Sequence, residues 1–357
     1  MIYHDFHGLR LSALGLGCMR LPTRDQQIDR EAVEEMVCYA MEQGINYFDT
    51  AWFYHHGESE TVMGQVLGQY PRDKYFLATK FPGFEKDYFT DPERIFQTQL
   101  EKCQVDFFDF YLFHSVCQKN LQWYLDPAFG AFILQKKREG KIRHLGFSAH
   151  CSPSDMRKFL DAYGPELEFC QIQLNYLDWD LQNAREKVAL LRSRNIPIWV
   201  MEPVRGGRLA RLEPVYLQRL QALRPEETPP GWAFRFLQGI PGVTVVLSGL
   251  SDMQQLRENV GTFREACPPE PQELSVLHGI ARDMIRADQV PCTGCSYCVD
   301  RCPQGIPIPE ILKKYNEKDW SADIRCIGCG SCQKVCPQGI AIPRILDRYM
   351  DQHSESL

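Results

Sequence analysis

Two copies of one pattern lie towards the end of the chain: CTGCSYCVDRCPQGIPIPEILKKY at residues 292–315 and CIGCGSCQKVCPQGIAIPRILDRY at residues 326–349. In each copy the cysteines follow the spacing C-x2-C-x2-C-x3-C, and a proline comes directly after the fourth cysteine. Three thiolates from one short loop and a fourth from a distant position can enclose an inorganic cluster. The duplication therefore predicts a small C-terminal module with two metal centres.

This spacing resembles that of the bacterial two-cluster ferredoxins, in which the fourth cysteine of each run binds the cluster of the other run. We therefore expect two [4Fe–4S] clusters. Their ligands are predicted to be Cys292, Cys295, Cys298 and Cys336 for the first set, and Cys326, Cys329, Cys332 and Cys302 for the second. Zinc sites and disulfides are the alternatives, but neither run contains a histidine and nothing indicates an oxidising compartment.

The composition is that of an ordinary globular protein, with 357 residues, 44% hydrophobic and 24% charged. A net charge of −6 argues against nucleic acid or an anionic membrane as the main partner. The first residues lack the basic start and apolar core of a signal peptide, and no apolar run is long enough to span a bilayer. With the remaining cysteines scattered along the chain, we expect a cytoplasmic protein.

Upstream of the module, short apolar runs alternate with helical patterns. The predicted strands are 11–17, 45–49, 75–80, 107–114, 143–148, 169–174, 196–201 and 243–247. Eight buried strands with helices between them indicate the α/β class and a (β/α)8 TIM barrel. A doubly wound open sheet is the alternative, and the lack of a G-x-G-x-x-G motif after the first strand argues against it.

The chain is thus predicted to have four segments. They are a (β/α)8 barrel at 1–264, a linker and helix at 265–290, a small α+β ferredoxin-like domain at 291–350 and a flexible tail at 351–357. The prolines and acidic residues of 265–271 favour the linker, and the polar residues of 351–357 favour a loose end.

Four functional side chains stand at, or just after, successive predicted strand ends, where the active sites of such barrels lie. They are Asp49, Tyr54, Lys80 and His114. A lysine ammonium beside the tyrosine would lower the pKa of the phenol, and an aspartate would hold the lysine in place. The tyrosine could then protonate a carbonyl oxygen that the histidine orients. The set predicts a site for carbonyl reduction.

The segment Asp49-Thr50-Ala51-Trp52-Phe53-Tyr54, followed by Gly57-Glu58-Ser59-Glu60 and then by Lys80 and His114, resembles the aldo-keto reductase family. The resemblance covers residues 1–262. It implies a nicotinamide cofactor, NADPH in preference to NADH, and catalysis by the four residues above with Tyr54 as general acid. It also implies that the cofactor is bound by Gly17, Met19, Ser148, Gln171, Ser251, Gln255, Glu258 and Asn259, with Arg205 and Gly206 as candidates for the pyrophosphate.

Three positions depart from the family's pattern. Ala149 stands where an asparagine usually follows the carboxamide serine, and Met201-Glu202-Pro203 stands where an aromatic residue often stacks on the nicotinamide. Gln255 stands where many members have an arginine for the ribose 2′-phosphate. We therefore expect this protein to bind the cofactor through contacts that differ from those usual in the family.

A hydride carries two electrons, whereas iron–sulfur clusters exchange one at a time, and this leaves three hypotheses. The first is NAD(P)H-dependent reduction of a small carbonyl, or the reverse oxidation of an alcohol, with clusters that are structural, regulatory or linked to an external electron carrier. The second is an enzyme whose clusters feed a flavin or an unusual substrate in the barrel. The third is a nicotinamide-binding redox sensor, which an intact tetrad disfavours. We predict the first.

Overall fold

A computed structural model of the chain describes residues 1–286 and 290–356. Its strands are β1 (Tyr3–Phe6), β2 (Leu9–Ser12), β3 (Leu14–Gly17), β4 (Thr23–Arg24), β5 (Gln27–Ile28), β6 (Tyr47–Asp49), β7 (Phe76–Phe81), β8 (Phe108–Val116), β9 (Ile142–Ala149), β10 (Phe169–Gln173), β11 (Ile198–Met201) and β12 (Val243–Gly249). Its helices are α1 (Arg30–Glu42), α2 (Ser59–Leu67), α3 (Pro92–Cys103), α4 (Leu121–Tyr124), α5 (Pro127–Arg138), α6 (Pro153–Tyr163), α7 (Asp178–Leu181), α8 (Ala184–Ser193), α9 (Pro214–Gln221), α10 (Pro229–Gln238), α11 (Met253–Thr262), α12 (Pro271–Arg286), α13 (Ile308–Glu317), α14 (Ser331–Lys334) and α15 (Ile342–Ser356).

Eight parallel strands close into a barrel in the order β3, β6, β7, β8, β9, β10, β11, β12. The barrel is closed because β12 pairs with β3, with Val246 opposite Leu14. The predicted (β/α)8 barrel is confirmed, and the alternative of an open doubly wound sheet is wrong. Each of the eight strands predicted from apolar runs overlaps one strand of the barrel.

Burial on both faces explains why the barrel strands are almost continuously apolar. Every residue of β8 is buried, because its side chains point alternately into the barrel and towards the surrounding helices. The helices begin at conventional caps. The Asp91 side chain, for example, accepts a hydrogen bond from the Arg94 backbone amide, and Pro92 occupies the first turn of α3.

An N-terminal hairpin closes the lower end of the barrel, a feature that the sequence did not predict. β1 pairs with β2, and the Phe6 ring centroid lies 5.0 Å from that of Trp199 and 5.6 Å from that of Phe110. The prediction of one strand over 11–17 was therefore wrong, since β2 ends at Ser12 and β3 begins at Leu14. This aromatic plug leaves the opposite end, where the strands finish, for the functional groups.

The helix α12 packs against the barrel, although it falls in the segment predicted as a linker and helix. Leu277, Ile280 and Ala281 are buried in the same core cluster as the barrel helices. Their spacing places them on one face of α12, which is how a surface helix buries an apolar stripe. The helix is thus part of the barrel's outer layer, while residues 287–289 of the predicted linker lie outside the described residues.

The C-terminal module has a core of its own, built from matched positions of the two copies. Ile308 and Leu312 of α13, and Ile342 and Leu346 of α15, are buried together, and the two helices pack against each other. Between residues 290 and 356 the described elements are helices, so turns take the place of the strands that an α+β domain implies. Residues 351–356 of the predicted flexible tail continue α15, and residue 357 lies outside the described residues.

Among residues 1–286 and 290–356, no helix is both long enough and apolar enough to cross a lipid bilayer.

Candidate functional site

The four predicted catalytic side chains meet at the upper end of the barrel, and Lys80 is bonded to two of the others. Its Nζ atom donates to Asp49 Oδ1 at 2.5 Å and to the Tyr54 hydroxyl at 3.2 Å. It also donates to the Thr50 carbonyl oxygen at 2.7 Å. Lys80 and Asp49 are both buried, so the ammonium is held in one position by partners on β6 and in the loop that follows it.

Tyr54 is positioned by an unusual turn. The two residues after it, His55 and His56, have φ angles of 50° and 54°. Residues other than glycine adopt such angles only at a cost in conformational free energy. The turn is anchored because His55 Nε2 accepts a hydrogen bond of 3.0 Å from the Leu21 amide. This anchor directs the Tyr54 hydroxyl towards Lys80.

The protonation of Tyr54 differs from the prediction. Burial raises the pKa of Tyr54 well above its usual value, and the negative charge of Asp49 adds to the rise. The expectation that Lys80 would lower this pKa was wrong because desolvation of the phenol outweighs the attraction of one ammonium that Asp49 already neutralises. Tyr54 therefore keeps its proton, as a proton donor must.

His114 faces Tyr54 across the site. The two ring centroids are 6.1 Å apart and the rings are nearly perpendicular, at 82°. Burial lowers the pKa of His114 well below its usual value, and the charge of Lys80 lowers it further, so the imidazole is neutral. His114 Nδ1 and Asp49 Oδ2 are buried without a hydrogen-bond partner among the described residues. Such unpaired buried polar atoms are costly and indicate a site made for a polar ligand.

Ser148 and Gln171 lie side by side on β9 and β10, where they are opposite each other in the strand register. The Ser148 hydroxyl accepts a hydrogen bond of 2.7 Å from the Ser115 amide. Gln171 Oε1 is buried and has no partner among the described residues. One oriented hydroxyl and one free amide oxygen suit the carboxamide of a nicotinamide, which offers both a donor and an acceptor.

The residues predicted to bind the adenosine end lie in the loop after β12 and on α11. The Ser251 hydroxyl donates to the Arg20 carbonyl oxygen at 3.1 Å, and the Ser251 amide donates to Gln255 Oε1 at 3.2 Å. The Asp252 carboxylate caps α11 by accepting from the Gln255 amide at 2.8 Å. Two further predicted contacts, Glu258 and Asn259, bond within the same region, to Gln254 and Ser248 respectively.

The first barrel strand contributes the two remaining predicted contacts of the nicotinamide half. Gly17 ends β3, and Met19 lies in the single helical turn Cys18–Arg20 that follows. Both are therefore at the upper end of the barrel, on the strand next to β12.

Arg205 and Gly206, the candidates for the pyrophosphate, contact the C-terminal module. Arg205 is fully buried in an ion pair with Asp178, and its Nη2 atom donates to the Pro291 carbonyl oxygen at 3.2 Å. Gly206 has a φ of +62°, and a Cβ atom there would lie 1.8 Å from the Thr293 carbonyl oxygen. In this arrangement both residues support the first cysteine loop, and their contact with a pyrophosphate stays a prediction.

The cysteines of the first predicted set line one cavity. Cys292, Cys295 and Cys298 come from the first run and Cys336 from the second, and apolar residues of α13 and α15 complete the wall. Among the described residues, no three cysteine, histidine or acidic side chains converge closely enough to hold a single metal ion. Four cysteine side chains around one cavity suit a polynuclear iron–sulfur cluster.

The two cysteine loops differ in exposure although their spacing is the same. Cys298 and Cys332 are buried in the module's core, whereas Cys329 and its neighbour Ile327 are exposed. Each loop directs a glycine amide at a cysteine sulfur, with 3.4 Å from Gly294 N to Cys292 Sγ and 3.4 Å from Gly328 N to Cys326 Sγ. Amide hydrogen bonds of this kind stabilise metal-bound thiolates. Cys302, the predicted fourth ligand of the second set, packs against the same core.

The module covers the upper end of the barrel. The Arg20 guanidinium donates to the Thr293 carbonyl oxygen at 2.9 Å, and the Gln338 amide donates to Gln173 Oε1 at 2.8 Å. The Tyr297 ring lies 5.4 Å from the Phe84 ring, which in turn lies 5.0 Å from the His114 ring.

Sequence reasoning did not identify Tyr297, Gln173 or Gln338 as part of this region. One signal was present, because the two copies differ where the module contacts the barrel. Thr293 and Tyr297 of the first copy correspond to Ile327 and Ser331 of the second.

Two family models match the chain, the Aldo/keto reductase family at residues 13–273 and the 4Fe-4S dicluster domain at residues 291–341. An NADH-specific methylglyoxal reductase of Escherichia coli (strain K12) is 28% identical, over 71% of this chain and 90% of that protein. An L-galactose dehydrogenase of Arabidopsis thaliana is 24% identical, over 72% of this chain and 86% of that protein. The holo form of an aldo-keto reductase from Bacillus halodurans has the same fold, with a TM-score of 0.64 at 24% identity, over 78% of this chain and 96% of that one.

The first family model spans well over half of the chain and coincides with the barrel, and the second coincides with the cysteine module. The resemblances stated for both parts are confirmed. The chain is an oxidoreductase that belongs to the aldo/keto reductase family and carries a C-terminal 4Fe-4S dicluster domain.

Proposed function

We propose that the barrel reduces a small carbonyl compound with a dihydronicotinamide nucleotide, and that Tyr54 donates the proton. The observation that carries this proposal is the bonding of Lys80 to both Asp49 and Tyr54, with His114 facing the same hydroxyl. Tyr54 is the proton donor, Lys80 supplies a positive charge that stabilises its conjugate base, and His114 is a neutral hydrogen-bonding group. These three groups lie around one position.

The bound nucleotide would supply a hydride to the carbonyl carbon. Tyr54 transfers its hydroxyl proton to the carbonyl oxygen, so that an alcohol forms and a phenolate remains on the enzyme. Lys80 stabilises that phenolate across the 3.2 Å hydrogen bond, and Asp49 keeps the ammonium in place. The neutral His114 donates a hydrogen bond that orients the carbonyl oxygen before the proton moves. In the reverse direction the phenolate would accept the proton of an alcohol.

We further propose that NADH is preferred to NADPH, in place of the preference that the family resemblance implied. Gln255, at the position expected to face the ribose 2′-phosphate, is neutral and donates to Asp252 Oδ2 at 2.7 Å. The carboxylate of Asp252 at the start of α11 would repel a phosphate group. The reductase of Escherichia coli described above is itself named as NADH-specific.

For the module we propose two [4Fe–4S] clusters with exchanged fourth ligands. The cavity lined by Cys292, Cys295, Cys298 and Cys336 supports the exchange for the first set. By the symmetry of the duplication, Cys302 would complete the second set with Cys326, Cys329 and Cys332.

One observation favours a second function, in which the clusters exchange electrons with the barrel. The loop of the first set is bonded to the barrel at Thr293 and Pro291, and Tyr297 reaches the ring of Phe84 beside His114. A flavin, or a substrate that accepts single electrons, would then be needed to join one-electron and two-electron steps. An external carrier would supply or remove electrons at the exposed second loop.

Tyr54→Phe is expected to lower kcat for aldehyde reduction by about 100-fold to 10,000-fold, because the ring stays but its proton is lost. The dissociation constant of NADH, measured by fluorescence titration, should change less than about twofold. Tyr39→Phe, which removes a hydroxyl from a half-buried tyrosine on α1, is the matched control and should keep full activity. Equal losses of turnover and of nucleotide binding in Tyr54→Phe would contradict the role assigned to Tyr54.

Gln255→Arg is expected to tighten NADPH binding by about tenfold, because an arginine forms charge-assisted hydrogen bonds with a phosphate. Binding of NADH should stay within about twofold of that of the unchanged protein. Gln254→Arg adds the same charge at the neighbouring exposed position and serves as the control. If the unchanged protein already binds NADPH more tightly than NADH, the proposed preference is wrong.

Cys302→Ala and Cys336→Ala test the exchange of ligands. Each is expected to lower the iron content from about eight to about four atoms per chain. The electron paramagnetic resonance spectrum of Cys302→Ala should match that of Cys329→Ala, and the spectrum of Cys336→Ala should match that of Cys295→Ala. Cys267→Ala, at an exposed cysteine outside both runs, is the control. If the spectrum of Cys302→Ala instead matches that of Cys295→Ala, and that of Cys336→Ala matches that of Cys329→Ala, then each run binds its own cluster.

Anaerobic addition of NADH to the purified protein separates the two functions. If the clusters exchange electrons with the barrel, their visible absorbance should bleach with NADH, and a flavin should be found by its own absorbance. If the absorbance persists while NADH reduces an added aldehyde, the barrel works without the clusters and the second function is excluded.

A further inference from the structure

Three positions of the first cysteine loop contact the barrel. The Pro291 and Thr293 carbonyl oxygens accept hydrogen bonds from arginine side chains of the barrel, at 3.2 Å and 2.9 Å. The Asp300 carboxylate lies 3.4 Å from the Nδ1 atom of His56. In the first copy of the duplicated pattern, one face of the loop is therefore a docking surface, and the barrel occupies it.

The corresponding positions of the second loop are Arg325, Ile327 and Lys334, and all three are exposed. Ile327 is 62% exposed, more than any other large hydrophobic residue that the structure describes. Cys329, a predicted ligand of the second cluster, is exposed on the same loop. An apolar side chain with charged neighbours is typical of a surface that binds another protein.

The second loop also differs from the first in charge. Lys334 stands where the first copy has Asp300, and residues 324–336 contain Arg325 and Lys334 but no acidic residue. The barrel adds a third cation, because Lys119 Nζ donates to the Lys334 carbonyl oxygen at 2.7 Å. The chain as a whole has a net charge of −6, so this patch is opposite in sign to the rest of the molecule.

The basic patch would also act on the charge of a bound cluster. A [4Fe–4S] cluster with its four thiolates is an anion, and it would repel an acidic protein that came close to it. The cations Arg325, Lys334 and Lys119 would offset that repulsion at the place where Cys329 reaches the surface. Their position therefore suits a negatively charged partner.

We propose that Arg325, Ile327, Lys334 and Lys119 form a docking face for a small acidic protein that carries one electron at a time. This inference rests on the proposed [4Fe–4S] clusters and names the class of their external partner. A reduced cluster passes one electron to the carrier, so the cluster is oxidised and the carrier is reduced, and no bond forms or breaks. The opposite charges steer the encounter, and Ile327 supplies the apolar contact.

The experiment uses calorimetry to measure the binding of a bacterial flavodoxin, an acidic one-electron carrier, to the full-length protein. Both proteins are oxidised and anaerobic, so binding is measured apart from electron transfer. Both also have a net negative charge, so contact without a local basic patch would strengthen as salt is added. The docking face predicts the reverse, a dissociation constant that rises about tenfold between about 20 mM and about 200 mM sodium chloride.

Arg325→Glu combined with Lys334→Glu should weaken binding at low salt by at least about tenfold and remove its salt dependence. Lys74→Glu combined with Lys158→Glu makes the same change in net charge at two exposed lysines of the barrel. This control should stay within about threefold of the unchanged protein. Ile327→Ser should weaken binding by about fivefold and keep the salt dependence, because only apolar contact is lost.

Iron content is measured for each variant. If the doubly acidic variant loses iron, Arg325→Gln combined with Lys334→Gln decides the result. The rate at which the reduced protein transfers electrons to flavodoxin, followed by stopped-flow absorbance, should fall in the variants that bind it less tightly. Binding with the predicted salt dependence but without electron transfer would support the docking face and contradict the proposed role of the clusters.

Three results would overturn the inference. They are binding that strengthens with added salt, equal effects of the two pairs of glutamate substitutions, and a dimer of this chain that the substitutions at Arg325 and Lys334 dissociate. The last result would assign the docking face to a second copy of the chain.

Discussion

The buried ammonium of Lys80 is the constraint on which the upper end of the barrel depends. A buried positive charge needs close partners, and Lys80 finds them in Asp49, the Thr50 carbonyl oxygen and Tyr54. Removal of the Asp49 carboxylate would leave the buried ammonium without its counter-charge. The same requirement explains why the turn after Tyr54 tolerates two residues in the left-handed region, since the turn brings the hydroxyl to the ammonium. The contacts of Lys80 that position the catalytic groups are therefore the same contacts that stabilise its buried charge.

The two copies in the C-terminal module have similar sequences but different surroundings in the structure. The first cysteine loop is bonded to the barrel through the backbone oxygens of Pro291 and Thr293, and Gly206 leaves the space that this approach requires. The corresponding position of the second loop, Ile327, is exposed. The first cysteine loop therefore lies against the barrel, whereas the second loop is exposed at Ile327 and Cys329. Cysteine spacing predicts the ligands but not this difference, because the contacts come from the residues between the cysteines.

Much of the molecule could be predicted from local sequence. Continuous apolar runs gave the eight barrel strands, because such strands are buried on both faces. Strand ends gave Asp49, Lys80 and His114, because barrels direct functional groups to that edge. The N-terminal hairpin was missed because Phe6 owes its role to contacts with Phe110 and Trp199, which lie far away in the sequence. The pKa of Tyr54 was missed for a related reason, since burial by the whole fold decides its direction. The ion pair of Arg205 with Asp178 likewise depends on tertiary packing.

The cavity that holds the first cysteine set has a consequence for the order in which the protein matures. Three of its thiolates lie in one loop, but Cys336 comes from the second copy. All eight barrel strands precede that residue in the chain, so the barrel can close during synthesis before the cavity is complete. Iron would thus reach a protein whose barrel is already folded, and the first cysteine loop would then pack against the surface of that barrel.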